Sequence, residues 1–151
     1  IMPIHLSPLD GYLNAGESAI ITATLYDPTG MPLSKVAIQT LTLAIIDPRG
    51  EIVNNRGSIA VDEHGNAVIT GQDILDVNGG SVANDGTVTI KLSGDDTQFT
   101  MRGDTQTNYL QVAWSWLDPQ AVPMSGKQDY TTTVKRVYAA TMEPLAPGWL
   151  G

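Results

Sequence analysis

The stretch "LTLAIIDPRGEIVNN", residues 41–55, sets two apolar runs on either side of an Asp-Pro-x-Gly corner. Asp47 stands at the first position, Pro48 fixes φ at the second and Gly50 closes the fourth, which is type I turn chemistry between two strands. The same punctuation recurs in "LYDPTGMPL" (25–33) as Asp27, Pro28 and Gly30, while "LDPQA" (117–121) keeps Asp118 and Pro119 without the Gly. Repetition of this kind marks either two copies of a ligand loop or the corners of a fold made of short strands. The flanking segments favour corners.

Outward from that stretch, alternation replaces helical periodicity almost everywhere. In "YLQVAWSW" (109–116), Leu110, Val112, Trp114 and Trp116 share one face, and Tyr109, Gln111, Ala113 and Ser115 the other. Burying the first face takes two indoles out of water, about 150 to 250 Å² each, so this reads as a central core strand. "SAIITATLY" (18–26), "VAIQTLTLAII" (36–46), "GTVTIKL" (86–92) and "YTTTVKRVY" (130–138) are rich in β-branched residues and read as further strands. Weaker candidates are "EIVN" (51–54), "SIAVD" (58–62) and "NAVIT" (66–70), the last two paired as a hairpin. "GQDILDVNGGSVANDG" (71–86) reads as a long connection with a short helical turn at 73–77. The expectation is an all-β chain: one β-sandwich of seven to nine antiparallel strands over 16–138, an N-terminal arm over 1–15 and a C-terminal arm over 139–151.

Composition narrows the chemistry. With 16 acidic and 8 basic residues the net charge is -8, which repels phosphate backbones and anionic lipid, so neither nucleic acid nor a membrane surface is expected as a partner. No cysteine is present, which excludes disulfides and thiolate metal sites. No apolar run approaches the roughly 18 residues of a membrane span.

No catalytic arrangement stands out, and no catalytic residue, cofactor or metal is expected. His5 and His64 are far apart and belong to no metal-ligand pattern. Asp73, Asp76 and Asn78, with Asp95 and Asp96, supply oxygen donors of the kind calcium takes, yet an EF-hand alignment from Asp76 places Gly80, Ser81 and Thr87 where a ligand, the Gly and the terminal Glu belong. Turn stabilisation by local hydrogen bonds is the favoured reading of these residues. Arg102-Gly103-Asp104 forms an Arg-Gly-Asp tripeptide, read here as a loop before the aromatic strand. A hydrolase would need a pair such as Asp95 with Asp104. A sugar-binding surface would need Tyr109, Tyr130, Trp114 or Trp116 as a stacking platform, but the two Trp share the face of Leu110 and Val112 and read as core.

The apolar residues of the two arms are the more useful signal. Ile4 and Leu6 at one end, and Leu145, Trp149 and Leu150 at the other, lie outside strand alternation and would meet water in an isolated chain. They are expected to be held in place, either over the domain's own core or as clamps on neighbouring subunits.

The order of "GESAIITATLYDPTGMPL", "VAIQTLTLAIIDPRGEIV", "GTVTIKLSGDDTQF" and "YLQVAWSW", followed by a strand ending "TTVKRVY", resembles immunoglobulin-like domains of tailed-bacteriophage virion structural proteins, of the type at the N-terminus of baseplate upper proteins. The likeness covers roughly residues 16–138; the 71–86 connection and both arms depart from it. What it implies is an immunoglobulin-like sandwich in a non-enzymatic virion protein that decorates a capsid, joins head to tail or builds tail or baseplate. Its partners would be other virion proteins and copies of itself, assembled in the host cytoplasm. A carbohydrate-binding or adhesive sandwich is the competing class.

Overall fold

A computed structural model describes residues 4–7 and 12–136. Eleven strands occur among them, in chain order: β1 (Ile4–Ser7), β2 (Tyr12–Asn14), β3 (Ala19–Thr24), β4 (Ile38–Ile46), β5 (Ser58–Val61), β6 (Ala67–Thr70), β7 (Gln72–Asp73), β8 (Gly80–Val82), β9 (Thr87–Leu92), β10 (Thr105–Leu117) and β11 (Pro123–Lys135). Nine of them form two sheets, ordered β1-β3-β9-β8 and β2-β11-β10-β4-β7; β5 and β6 pair as a separate hairpin. The first strand is divided, with β1 on one sheet and β2 on the other, and β10 stands between β4 and β11. This is the immunoglobulin-like arrangement.

Alternation decides what is buried. Ile21 and Ala23 of β3 and Val88, Ile90 and Leu92 of β9 face Leu41, Leu43 and Ile45 of β4 and Leu110, Val112 and Trp116 of β10. These residues form one continuous core, and β10 buries every second side chain from Gln106 to Trp116, with Leu110, Val112 and the two Trp where the sequence reading puts them.

The Asp corners are four copies of one device. Asp27, Asp47, Asp62 and Asp118 each accept, through Oδ1, the backbone N–H groups two and four residues later, at 2.8–3.0 Å. In each, the fourth residue is left-handed: Gly30, Gly50, Gly65 and, without glycine's freedom, Ala121 at φ 62°. That geometry is a type I turn closed by a left-handed residue, the usual three-residue hairpin connection.

Several expectations need correction. The segment read as an N-terminal arm contributes two edge strands: Ile4 and Leu6 lie on β1, opposite Ala23 and Ile21 of β3, and Tyr12–Asn14 runs parallel to β11. That pair is also the exception to an antiparallel sandwich. Strands of four and three residues, the first set between Pro3 and Pro8, are too short for alternation to reveal them. Residues 51–54 form no strand, because Asn54 and Asn55, both at φ 55°, turn the chain after a lone bridge from Ile52 to Ile46. Residues 73–77 form no helix; Asp76 and Asn78 are left-handed, and the 71–86 connection contains β7 and β8. The C-terminal arm, with Leu145, Trp149 and Leu150, lies outside the described residues.

Candidate functional site

The β10–β11 ladder runs in unbroken antiparallel register from Thr105 opposite Lys135 to Leu117 opposite Pro123, which gives the sandwich two distinct ends. At the Lys135 end the chain gathers its buried charge. Asn54 and Asn55 reverse the backbone and deliver Arg56 into the protein, where Nε and Nη2 donate to the Asp96 carboxylate at 2.8 and 2.9 Å. Nη1 donates to Gln72 Oε1 at 3.0 Å and to the Asn78 carbonyl at 2.6 Å. Asp96 also caps the 3₁₀ turn Gly94–Thr97, accepting from the Ser93 N–H, and accepts from Asn54 Nδ2. Burial pushes the Asp96 carboxyl up, but the Arg56, Asn54 and Ser93 donors outweigh it and hold its pKa below the ordinary value.

An open cleft of about 840 Å³ lies over this network, lined by Asn54, Arg56, Gln72, Asn78, Lys91 and Ser93. The guanidinium beneath it is committed to Asp96 and two protein acceptors. The cluster therefore pins the 54–57 turn, the 71–86 connection and the 93–97 turn together rather than presenting a cation to a ligand.

Asp47 is pinned on the same principle. Burial again opposes ionisation, and hydrogen bonds from the Glu51 N–H, Arg49, Thr100 and the Arg49 N–H prevail, so its pKa is lowered. Beside it, Arg136 stacks over the Phe99 ring at 4.3 Å and donates to the Gly103 and Met101 carbonyls. These contacts fix where the chain leaves β11.

The opposite end is apolar. A groove of about 520 Å³ runs between the 27–34 loop and the β10–β11 connection, floored by Trp116, Leu33 and Met124 and rimmed by Pro28, Pro32 and Pro119. Beyond it Val36 is 90% exposed and Met31 63%, with Leu117 and Val122 also open to water. A smaller cleft of about 260 Å³ adjoins it, sharing Pro28 and Trp116 and reaching Tyr26 and Trp114. The Trp114 indole lies across Gly126, its partner on β11: a Cβ there would meet Cζ2 at 2.4 Å. Among the described residues, Trp114 Nε1 and Asn108 Nδ2 are buried without a hydrogen-bond partner.

The structure separates most of the residues that the sequence brings forward. Among the described residues, no group of three or more His, Cys, Asp or Glu side chains could hold a metal. Asp73 accepts from the Leu75 N–H, Asp76 accepts from the Val82 N–H and pairs with Lys35 at 2.8 Å, and Asp96 belongs to Arg56. His5 is on β1, while His64 sits on the exposed tip of the β5–β6 hairpin. Asp95 and Asp104 are both exposed, on the 94–97 turn and the loop before β10. Trp114 and Trp116 are core; Tyr130 packs against the core, and Tyr109 is 52% exposed beside a cleft of about 290 Å³ shared with Ile46 and Ile69. Arg56 was invisible to pattern reading, its only signal a lone cation in an Asn-Asn-Arg-Gly turn. The apolar end was missed because its residues come from two stretches far apart in sequence, 27–37 and 116–124.

No family model matches the chain, and no curated protein matches it. Among solved structures it is similar to MtrC from Shewanella baltica, at 12% identity and TM-score 0.43, over 90% of this chain and 23% of that one. It is also similar to AggA, the major subunit of aggregative adherence fimbriae type I of Escherichia coli, at 10% identity and TM-score 0.41, over 90% and 94% of the two chains. A third is CopC from Methylosinus trichosporium, at 13% identity and TM-score 0.34, over 93% of each chain. The chain thus spans less than a quarter of MtrC. At these scores the fold assignment rests on the strand order of the two sheets, which makes this chain an immunoglobulin-like β-sandwich.

Proposed function

We propose that the chain is a non-enzymatic structural protein of a tailed-bacteriophage virion, in which the sandwich is a rigid body and terminal residues join it to other virion proteins and to copies of itself. The observation that supports this reading most is the apolar end of the sandwich, where Met31, Val36, Leu117 and Val122 are exposed around a groove while the buried charges are tied into structural pins. Large exposed apolar surface at one end of an acidic domain suits protein contact, with the net charge of -8 keeping free subunits apart before assembly. Fully burying one Leu or Trp side chain contributes about 1.5 to 3 kcal/mol, so Leu145, Trp149 and Leu150 together suffice for a contact that a symmetric lattice repeats many times. Ile4 and Leu6 have a different part, on a strand at the edge of the sandwich. The test is incorporation: particles assembled with the Leu145→Ala/Trp149→Ala/Leu150→Ala chain should contain far less of it than particles made with the unaltered chain. Full occupancy by the variant would refute the reading.

An adhesive or carbohydrate-binding module is the second reading, favoured by one observation: Tyr109 presents half its surface beside an apolar cleft. Glycan-array binding that is lost in Tyr109→Ala would establish it, and an array without signal would remove it.

A further inference from the structure

We infer that the apolar groove at the β10–β11 turn is the socket for the C-terminal segment of a second copy, residues 143–150, so that copies join end to end. The inference rests on the reading that C-terminal residues link subunits, and it names their receptor. Three observations lead to it. The groove is walled by proline rings and aromatic and aliphatic side chains, Pro28, Pro32, Pro119, Trp116, Leu33 and Met124, with carboxylates only at Asp27 and Asp118. Such walls take extended proline-bearing peptides, and "EPLAPGWL" spaces Pro144 and Pro147 three apart, adds Leu145, Trp149 and Leu150, and has a single charge, at Glu143. Two fixed φ angles lower the entropy lost when that segment is ordered.

The second observation is position. The groove sits where β10 ends and β11 begins, whereas residues 137–151 follow Arg136 at the other end of β11, where its contacts with Phe99, Met101 and Gly103 anchor the exit. The third is reach. From Lys135 back to Met124, at the near edge of the groove, is eleven residues of strand, about 37 Å at roughly 3.4 Å per residue. Pro144 is eight residues beyond Arg136 and extends at most about 29 Å, so Pro144 and Leu145 cannot reach the groove of their own chain and the whole motif fits there only in a second copy. A second copy placed end to end brings the socket to the tail. Tail and socket are different surfaces at opposite ends, so the contact is heterologous and repeats into a ring or a filament.

The chain's lack of cysteine makes the test direct. Ser34, exposed on the groove wall, is replaced by the isosteric cysteine together with Ala146→Cys in the full chain, and the purified protein is oxidised. The expected result is interchain disulfide-linked species extending past the dimer, at least tenfold above the yield when Ser58→Cys, exposed on the β5–β6 hairpin, replaces the groove cysteine. Only intrachain product, or no product above that control, overturns the inference. Sedimentation of Leu117→Glu and Trp149→Ala chains separates the two levels. Each should raise the self-association constant for dissociation at least tenfold. If Trp149→Ala does so without Ser34–Ala146 cross-linking, the socket is wrong and the arm reading stands. If Trp149→Ala changes nothing, both fall.

Discussion

Arg56 and Asp96 show how much one buried pair can organise. Breaking it by Arg56→Met leaves a carboxylate inside the protein without its main partner, which costs about 3 to 5 kcal/mol, whereas Arg56→Met/Asp96→Asn should recover a large part of that loss. Chemical denaturation of the single and double variants measures the coupling. The same pair sets the acid limit. Because the folded-state pKa values of Asp96 and Asp47 lie below the ordinary aspartate value, the folded protein binds fewer protons than the unfolded chain in that range. Their contribution is therefore fully present above about pH 4 to 5 and is lost as pH falls through the folded values. In Arg56→Met, burial dominates and raises the Asp96 carboxyl above its unfolded value, so that component should change sign, its penalty being relieved as pH falls; in Asp96→Asn it should vanish. Denaturation followed between pH 2 and 6 checks both signs. At the corners, Gly50→Ala puts a side chain into φ 83° and should cost about 1 kcal/mol, while Ala121→Gly, relieving φ 62°, should stabilise by only about several tenths of a kcal/mol, since the freedom gained by the unfolded chain offsets part of the relief.

At the scale of elements, β10 and β11 form the spine. Their thirteen-residue ladder buries Trp114 across Gly126, a position without room for a Cβ. Gly126→Ala should destabilise by about 1 to 3 kcal/mol and shift the tryptophan emission, because the indole must leave its place; thermal melts read by fluorescence test this. The 109–116 part of β10 was legible in the sequence because Leu110, Val112, Trp114 and Trp116 alternate, while its start, where the buried residues are the polar Gln106 and Asn108, was not; the corners were legible because Asp at the first position and Gly at the fourth each answer a backbone requirement. β1, β2, β7 and β8 were not: two to four residues cannot display a period, and their pairing is decided by partners far along the chain. The Arg56 cluster was hidden for a related reason. Its members, from residues 54, 56, 72, 78, 93 and 96, meet only after both sheets have formed.

Over the whole molecule, the two ends of the sandwich divide the work. The Lys135 end fixes loops and the chain exit with a buried ion pair and hydrogen bonds; the Leu117 end leaves apolar surface open to water. The apolar character of the C-terminal residues could be read from sequence, but the end of the domain that would receive them could not, since Pro28, Leu33 and Pro119 acquire meaning only when the 27–37 and 116–124 segments converge. The central claim is that this domain functions by joining copies and neighbours through terminal residues. Sedimentation velocity of the purified full chain across a hundredfold concentration range tests it most directly. The account predicts a mass that rises with concentration for the unaltered chain, and a monomer throughout for the Leu145→Ala/Trp149→Ala/Leu150→Ala variant with an unchanged melting temperature. The same oligomer distribution in both proteins would contradict it.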